Sequence, residues 1–421
     1  MKKIFVVALL TITNLLVTAQ VTPAKFGKGI TIEGEDFKLK AAFRFQSLYV
    51  SEWNIRNDDF QYVEDLQTNF LIRRSRLKFD GWAYSPKLKY KMELGLSNRD
   101  LSGGDGPEYS NASRMILDAY LEWNFYKGFS ILTGQTKLPG NRERIISSAN
   151  MQFVDRSRLN SRFTLDRDMG VMLKHKHTIG EQFNIKSVYS LAQGEGRNIT
   201  AGNLGGGLSH TLKIEFFPFG DFASKGDYSG GDLKREPKPK LALAFAYNIN
   251  QNASRERGQG GSFIINETTG EYFGKTLNTF YADLMFKFKG FSLMGEYVYR
   301  ATADNDPNAY YDSYFFGNGE PSPYPGAGIS TVQTIGGTYY TGSAINLQGG
   351  YLFESNWEIA GRYTIITPQN LIVGNNENEY GIALSRYVVG HKLKVQTDLG
   401  YRQVDNKDDK LFWRVQMDIH F

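Results

Sequence analysis

The chain has 421 residues, 41% hydrophobic and 14% aromatic, with 44 Gly and no Cys. The missing cysteine excludes a disulfide framework and a cysteine-linked lipid anchor. A formal net charge of +5 is too small to attract anions by its total, so any such preference must come from where the charge lies, and no nucleic-acid partner is expected.

Residues 1–19 read as a secretory signal: Lys2 and Lys3 precede a largely apolar stretch from Ile4 to Val17, and Val17-Thr18-Ala19 offers a small-residue cleavage site before Gln20. The apolar stretch is short for a membrane span. Loss of Lys2 and Lys3 would lower the net charge to +3. Residues 20–36 are then an N-terminal extension and 37–421 one all-β domain, with no composition break inside it.

Sixteen strands are predicted, near 37–50, 67–83, 87–97, 114–125, 128–138, 166–177, 182–192, 209–218, 240–250, 277–289, 291–301, 342–353, 356–366, 379–388, 391–402 and 409–421. Short connections, such as 84–86, 126–127, 289–290, 354–355 and 389–390, alternate with long polar ones. That is the rhythm of an up-and-down barrel with tight periplasmic turns and long outer loops. Residues 219–239 break the rhythm, being long where a turn should be short, and 403–408 is short for an outer loop.

Many strands have two unlike faces. In the last one Leu411, Trp413, Val415, Met417, Ile419 and Phe421 alternate with Phe412, Arg414, Gln416, Asp418 and His420. Leu88, Tyr90, Met92 and Leu94 alternate with Lys87, Lys89, Lys91 and Glu93, and Phe280 to Phe288 repeats the pattern. A period of two separates a lipid face from a watery one. A mean hydropathy of −0.40 fits, because only alternate residues meet lipid. Phe129, Ile131, Gln135 and Lys137 conflict: they share one parity but belong on opposite faces. The predicted fold is a 16-stranded antiparallel transmembrane β-barrel with an aqueous lumen.

Arg74, Arg76 and Lys78 share one strand face, and Lys89 and Lys91 share the next. A turn near Pro86 would set Asp80 beside Lys91 and Lys78 beside Glu93, pairing part of this charge. The ladders are either ordinary hydrated wall or a guide for anions, in which Arg grips an oxyanion as a planar fork and Lys acts as a point charge. The segment 139–167 carries Arg142, Arg144, Arg156, Arg158, Arg162 and Arg167 against Glu143, Asp155 and Asp166. A loop this long needs a function or a surface to pack on. Its Ile145, Ile146, Met151, Phe153 and Phe163 would find one on the inner wall. Folded inward, it would narrow the pore and favour anions there. The alternative is a structural loop whose arginines pair with wall carboxylates.

The run Arg73-Arg74-Ser75-Arg76-Leu77-Lys78-Phe79-Asp80-Gly81 resembles an early strand of the phosphate-selective porin O and P family. Gly134-Gln135-Thr136-Lys137-Leu138-Pro139, the arginine-rich loop after it, Arg167-Asp168-Met169-Gly170-Val171 and Trp357-Glu358-Ile359-Ala360-Gly361-Arg362-Tyr363 are similar to that family too. The resemblance implies a homotrimeric porin of the bacterial outer membrane, set in its lipid. It implies passive diffusion of phosphate, pyrophosphate or other small anions, with no cofactor, and it makes Lys137 and the third-loop arginines pore-lining. A general, mildly anion-preferring porin and, further off, an outer-membrane barrel enzyme are the alternatives. His175 and His177 lack a third metal ligand nearby. Asp105, Asp304, Asp306 and Asp312 could hold Ca²⁺ in outer loops, where hydrated acidic loops are the simpler account.

Overall fold

The computed structural model describes residues 20–22, 25–56, 59–101, 107–109, 112–200, 207–266, 272–303, 335–336, 339–369 and 375–421. Residues 1–19, expected above to be a secretory signal, and Asp105, Asp304, Asp306 and Asp312 lie outside these residues. Sixteen strands form the wall: β1 (Phe37–Ile55), β2 (Val63–Ala83), β3 (Ser85–Gly95), β4 (Ile116–Tyr126), β5 (Phe129–Lys137), β6 (Arg167–Ile179), β7 (Phe183–Ala192), β8 (Ser209–Phe217), β9 (Lys240–Ala253), β10 (Lys275–Phe288), β11 (Phe291–Thr302), β12 (Gly342–Leu352), β13 (Trp357–Pro368), β14 (Glu377–Tyr387), β15 (Leu393–Val404) and β16 (Asp409–His420). Each pairs antiparallel with its sequence neighbours. β16 closes the ring on β1, from Asp409 opposite Ile55 to His420 opposite Arg44.

Closure continues past the last strand. Phe421 and Phe43 exchange backbone hydrogen bonds of 3.0 and 2.7 Å. Below them Ile30–Glu33 takes over the same edge of β1, with Ile30 opposite Ala41 and Glu33 opposite Lys38. Gln20–Thr22 pairs with that segment in turn. The extension therefore covers the stretch of β1 that β16 is too short to reach, where an open edge would leave unpaired backbone groups.

The predicted alternation holds. Trp413 and Met417 are exposed toward lipid while Phe412, Gln416 and Asp418 are buried inside. The tight β10–β11 turn puts Lys289 and Gly290 both at positive φ, 47° and 91°. That is the turn geometry whose twist suits a two-residue hairpin. β5 resolves its own parity conflict at Gly134. Ser130 and Leu132 are buried and Ile131 and Thr133 exposed, but after Gly134, at φ 127°, Gln135 is buried. The alternation relaxes there: Thr136, of Leu132's parity, and Lys137 both line the cavity, and Gln135 is buried by bonds to Asn198 and to the Ile116 and Leu117 carbonyls. A Cβ on Gly134 would stand 2.2 Å from the Ala119 carbonyl oxygen.

The connection 138–166 (L3) folds into the barrel. Its helical turns are α1 (Arg142–Ile145), a 3-10 turn at Ser148–Asn150, and α2 (Arg158–Phe163). Ile146 and Met151 pack on Phe217, Met285 and Met294 of the wall. Phe153 meets Ala360 and Ala383, and Phe163 meets Tyr281, Val298 and Tyr340. The irregular periplasmic segment 218–239 rises to meet L3 from below: Gly230 N–H donates to Asn150 O at 2.8 Å, and the buried Lys287 ammonium donates to Gly226, Ser229 and Gly231 carbonyls.

Gly134→Val is expected to abolish the heat-modifiable folded band of the barrel on gels, since it adds strain of about 1–3 kcal/mol at a positive φ on top of the clash. Gly361→Ala, where nothing lies within 4 Å of the added carbon, should fold as the parent does.

Candidate functional site

L3 crosses the lumen because the far wall offers it carboxylates. Arg142 lies between Glu215 of β8 (2.9 Å) and Asp283 of β10 (2.5 Å). Lys213 joins the same Asp283 at 2.9 Å and donates to Gly140 O at 2.8 Å. Gln152 donates to Glu358 of β13 at 2.8 Å, and Val154 N–H to Asp398 of β15 at 3.0 Å. Arg158 and Arg162 both hold Glu377 of β14, at 2.6 and 2.9 Å. Asp155 reaches back across the lumen to Arg73 of β2 at 2.8 Å and Arg414 of β16 at 3.6 Å. Against the burial that would raise it, Arg73, Arg414 and Arg74 hold the Asp155 carboxyl well below the usual carboxylate range. Asp283 and Glu215 likewise hold the Arg142 guanidinium above its ordinary value despite its burial.

With L3 leaning on β8–β15, a water-accessible cavity of about 660 Å³ remains between it and β2–β8. Among the described residues its lining holds fourteen cations: Arg73, Arg74, Arg76, Lys91, Arg99, Arg114, Lys137, Arg144, Arg156, Arg167, Lys174, Arg197, Lys213 and Arg255. Five carboxylates face them: Glu93, Asp100, Asp118, Asp166 and Glu215. A smaller cavity of about 290 Å³ shares Arg76, Lys91, Glu93 and Ser147 and continues toward the periplasmic rim past Lys40, Arg44, Lys78 and Lys392.

Part of this charge is neutralised locally. Arg76 pairs with Glu93 (3.0 Å) and Asp100 (2.6 Å). Lys91 and Arg167 share Asp118 at 2.5 and 2.7 Å. Arg144 is bonded to Asp166. Other cations are held by backbone carbonyls, which carry no net charge. Lys137 donates to Arg144 O at 2.7 Å and Ile146 O at 3.2 Å. Arg156 donates to Glu143 O at 2.9 Å and Ile146 O at 2.8 Å. Burial, with Arg156 and Arg167 beside it, holds the Arg144 guanidinium well below its ordinary value. Burial also pushes Arg156 down to about 10, with Glu143 opposing and Arg167 adding to the shift. A guanidinium keeps its proton in proteins, so the two repel each other. An anion entering among them relieves that repulsion. Among the described residues, none is a hydrogen-bond partner of the buried Nε atoms of Arg74 and Arg144.

Of the residues singled out from the sequence, Arg74, Arg76, Lys91, Lys137, Arg144, Arg156 and Arg167 meet at the main cavity. Lys78, ion-paired with Asp80 at 2.9 Å, lies at the periplasmic continuation. Arg158 and Arg162 line a separate outer cavity of about 460 Å³ with Arg402, Lys407 and Lys410. Arg142 is a buried clamp outside the main cavity's lining. Lys89 is exposed, opposite Glu122, and also outside that lining. His175 stacks on Phe129 at 4.0 Å. Sequence reading missed Arg73, whose parity opposes that of Arg74. The register with β1 slips between Gln46 and Ser47, so Arg73 is a bulge residue and both neighbours reach the lumen. Arg197 and Arg255 come from outer loops whose folding over the cavity leaves no periodic signature.

A closed sixteen-stranded barrel with a loop folded across its aqueous lumen defines a porin of the bacterial outer membrane. Residues 51–317 match the family described as phosphate-selective porin O and P, and the chain belongs to that family. It is similar to an uncharacterized protein of Aquifex aeolicus (strain VF5), with 24% identity over 189 residues, 41% of this chain and 45% of that one. The chain thus spans about half the length of the curated relative it matches. Among solved structures it is similar to the outer membrane channel DcaP of Acinetobacter baumannii (TM-score 0.52, 10% identity, 92% of this chain and 99% of that chain). It is also similar to an anion-selective porin from Comamonas acidovorans (0.50, 8%, 92% and 100%) and to OmpT of Vibrio cholerae in trimer form (0.50, 9%, 92% and 100%). At these identities the likeness is one of fold.

Removing one partner of a buried ion pair costs about 3–5 kcal/mol. Arg142→Ala should therefore loosen L3 and appear in planar bilayers as larger, noisier single-channel steps. The depressed Asp155 carboxyl sets a pH dependence. Its contribution to holding L3 is fully present above the ordinary Asp value near ~3.9 and is lost as pH falls through the lower folded value. The part of the conductance that depends on Asp155 should therefore be constant down to about pH 4 and change only in stronger acid, a step that Asp155→Asn should lack.

Proposed function

We propose that this porin passes small anions by passive diffusion, with phosphate- and pyrophosphate-type ions favoured, and that Arg74, Arg76, Lys91, Lys137, Arg144, Arg156 and Arg167 set the preference. The observation that carries this reading is the fourteen-to-five excess of cations over carboxylates among the described residues around the main cavity. Fixed cations in a narrow, partly dehydrated passage attract anions and repel cations, while many weak sites let the ion leave again. Arg156, held by carbonyls rather than carboxylates, keeps its charge available. Lys78 and Lys89 at the periplasmic end, and Arg158 and Arg162 in the outer cavity, would extend the basic path. Arg142 would act indirectly, by holding L3. The family description, phosphate-selective, supports the choice of ion.

A general, weakly anion-preferring porin is the second reading. It is favoured by the carboxylate pairing of Arg73, Arg76, Lys91 and Arg167, which lowers the free charge. A homotrimer in outer-membrane lipid fits the fold and the trimer form of OmpT. Removal of 1–19 as a signal would leave Gln20, the first residue of the N-terminal hairpin, at the start of the chain.

The test is a reversal-potential measurement across a KCl gradient, repeated with added phosphate and pyrophosphate. A unit charge at 4 Å is worth ~1 kcal/mol in bulk water and ~4 kcal/mol near a protein surface. Arg144→Gln with Arg156→Gln should therefore cut the chloride-to-potassium permeability ratio by about tenfold. An unchanged ratio would refute the role given to L3. Anion preference without block by phosphate or pyrophosphate would select the general porin.

A further inference from the structure

The lining of the main cavity is not charged all round. Four adjacent strands turn an apolar side chain inward at one level: Tyr120 of β4, Leu132 of β5, Met172 of β6 and Val188 of β7 all border the cavity. Leu132 pairs directly with Met172. Tyr120 pairs with Gly134, which pairs with Gly170, so no side chain opposes its ring on the next two strands. Leu132, Met172 and Leu138 belong to one packed cluster with Leu165 and Phe163, and this cluster seats the two roots of L3. That structural duty accounts for Leu132 and Met172, which are 1% and 4% exposed. It does not account for Tyr120 and Val188, which are half-buried, packed against the cluster and in the cavity lining.

Inorganic phosphate has no use for such a surface, because it is polar on every side. The cavity is also too large for it: about 660 Å³ is within the ~300–1,000 Å³ of sites that enclose a drug-sized molecule. A ligand that satisfies both parts of the lining carries an oxyanion at one end and an apolar body at the other. Resting on the anion-porin reading above, we propose that the cavity selects phosphate monoesters with an apolar or flat organic body. The phosphoryl group would sit among Arg74, Arg144 and Arg156, and the body would lie on Tyr120 and Val188. Tyr120 and Val188 are then specificity-determining residues, contributing little to the passage of inorganic phosphate.

The experiment uses the full-length porin in planar bilayers in KCl and measures the concentrations of phenyl phosphate and inorganic phosphate that halve the chloride current. The parent protein should be blocked by phenyl phosphate at a concentration about tenfold lower than by inorganic phosphate, in line with the 10–200-fold worth of a hydrophobic contact. Tyr120→Ser should remove most of that advantage and leave inorganic phosphate block within about twofold. Val188→Thr, which keeps the outline of the side chain but adds a hydroxyl that this half-buried position lets face the cavity, should lower phenyl phosphate block by about threefold with the same indifference to inorganic phosphate. If phenyl phosphate blocks no better than inorganic phosphate, or both variants weaken the two ions equally, the proposal is overturned while the anion-porin reading stands. If neither ion blocks the parent and its reversal potential shows no anion preference, that underlying reading falls as well. Block by phenyl phosphate alone, lost in Tyr120→Ser, would uphold the organic substrate and remove inorganic phosphate from the list of favoured ions.

Discussion

A peptide group in hydrocarbon must find its hydrogen-bond partner within the protein, and a sheet meets that demand only by having no edge. Everything else follows from how this chain closes. β16 reaches β1 only as far as Arg44, and Phe421 adds one further exchange with Phe43. The long β1 continues past that point, and Ile30–Glu33 covers it. Sixteen tilted strands enclose more space than their own side chains can fill. The lumen must then stay wet or take in another part of the chain, and L3 and the segment 218–239 are that part.

The inner wall decides which cations remain available to solute. Where L3 lies against β8–β15, each of its arginines meets a carboxylate: Arg142 with Asp283 and Glu215, Arg158 and Arg162 with Glu377. A loop that crosses a lumen must desolvate its polar groups, and these pairs offset that cost. On the opposite side the wall is basic, and L3 turns Arg144 and Arg156 toward it. The same loop is therefore structural on one face and functional on the other. Its arginines were equivalent as sequence; the wall behind each one separates clamp from lining. The two roles also predict different failures, a loosened loop for Arg142 and a changed selectivity for Arg156.

The strands were legible because lipid and water impose a period of two, and all sixteen appear where the alternation put them, though β1 and β2 run longer at their outer ends. L3 was legible because its length, its arginines and its apolar residues had no outlet on the cell exterior. The exceptions have local causes. At Gly134 the alternation of β5 relaxes: Ile131 lies outside, Thr136 and Lys137 both line the cavity, and Gln135 is buried against Asn198. The bulge at Arg73 brings two successive arginines to one lumen, where strict alternation allows one. The segment 218–239 was conspicuous by length, but its polar composition gave no hint that Gly230 would bond to Asn150 inside the barrel.

The sequence by itself determined the wall: which residues face lipid, how many strands there are, and which loop has to enter. These are consequences of solvent contrast, and solvent contrast is written residue by residue along a strand. Only the tertiary structure decided which charges are spent. Lys137 caps the carbonyls of L3, Arg167 shares Asp118 with Lys91, Arg197 arrives from another loop, and Tyr120 and Val188 complete an apolar patch drawn from four strands. Pairing and cavity shape depend on distances between segments far apart in the chain, and no periodicity encodes a distance.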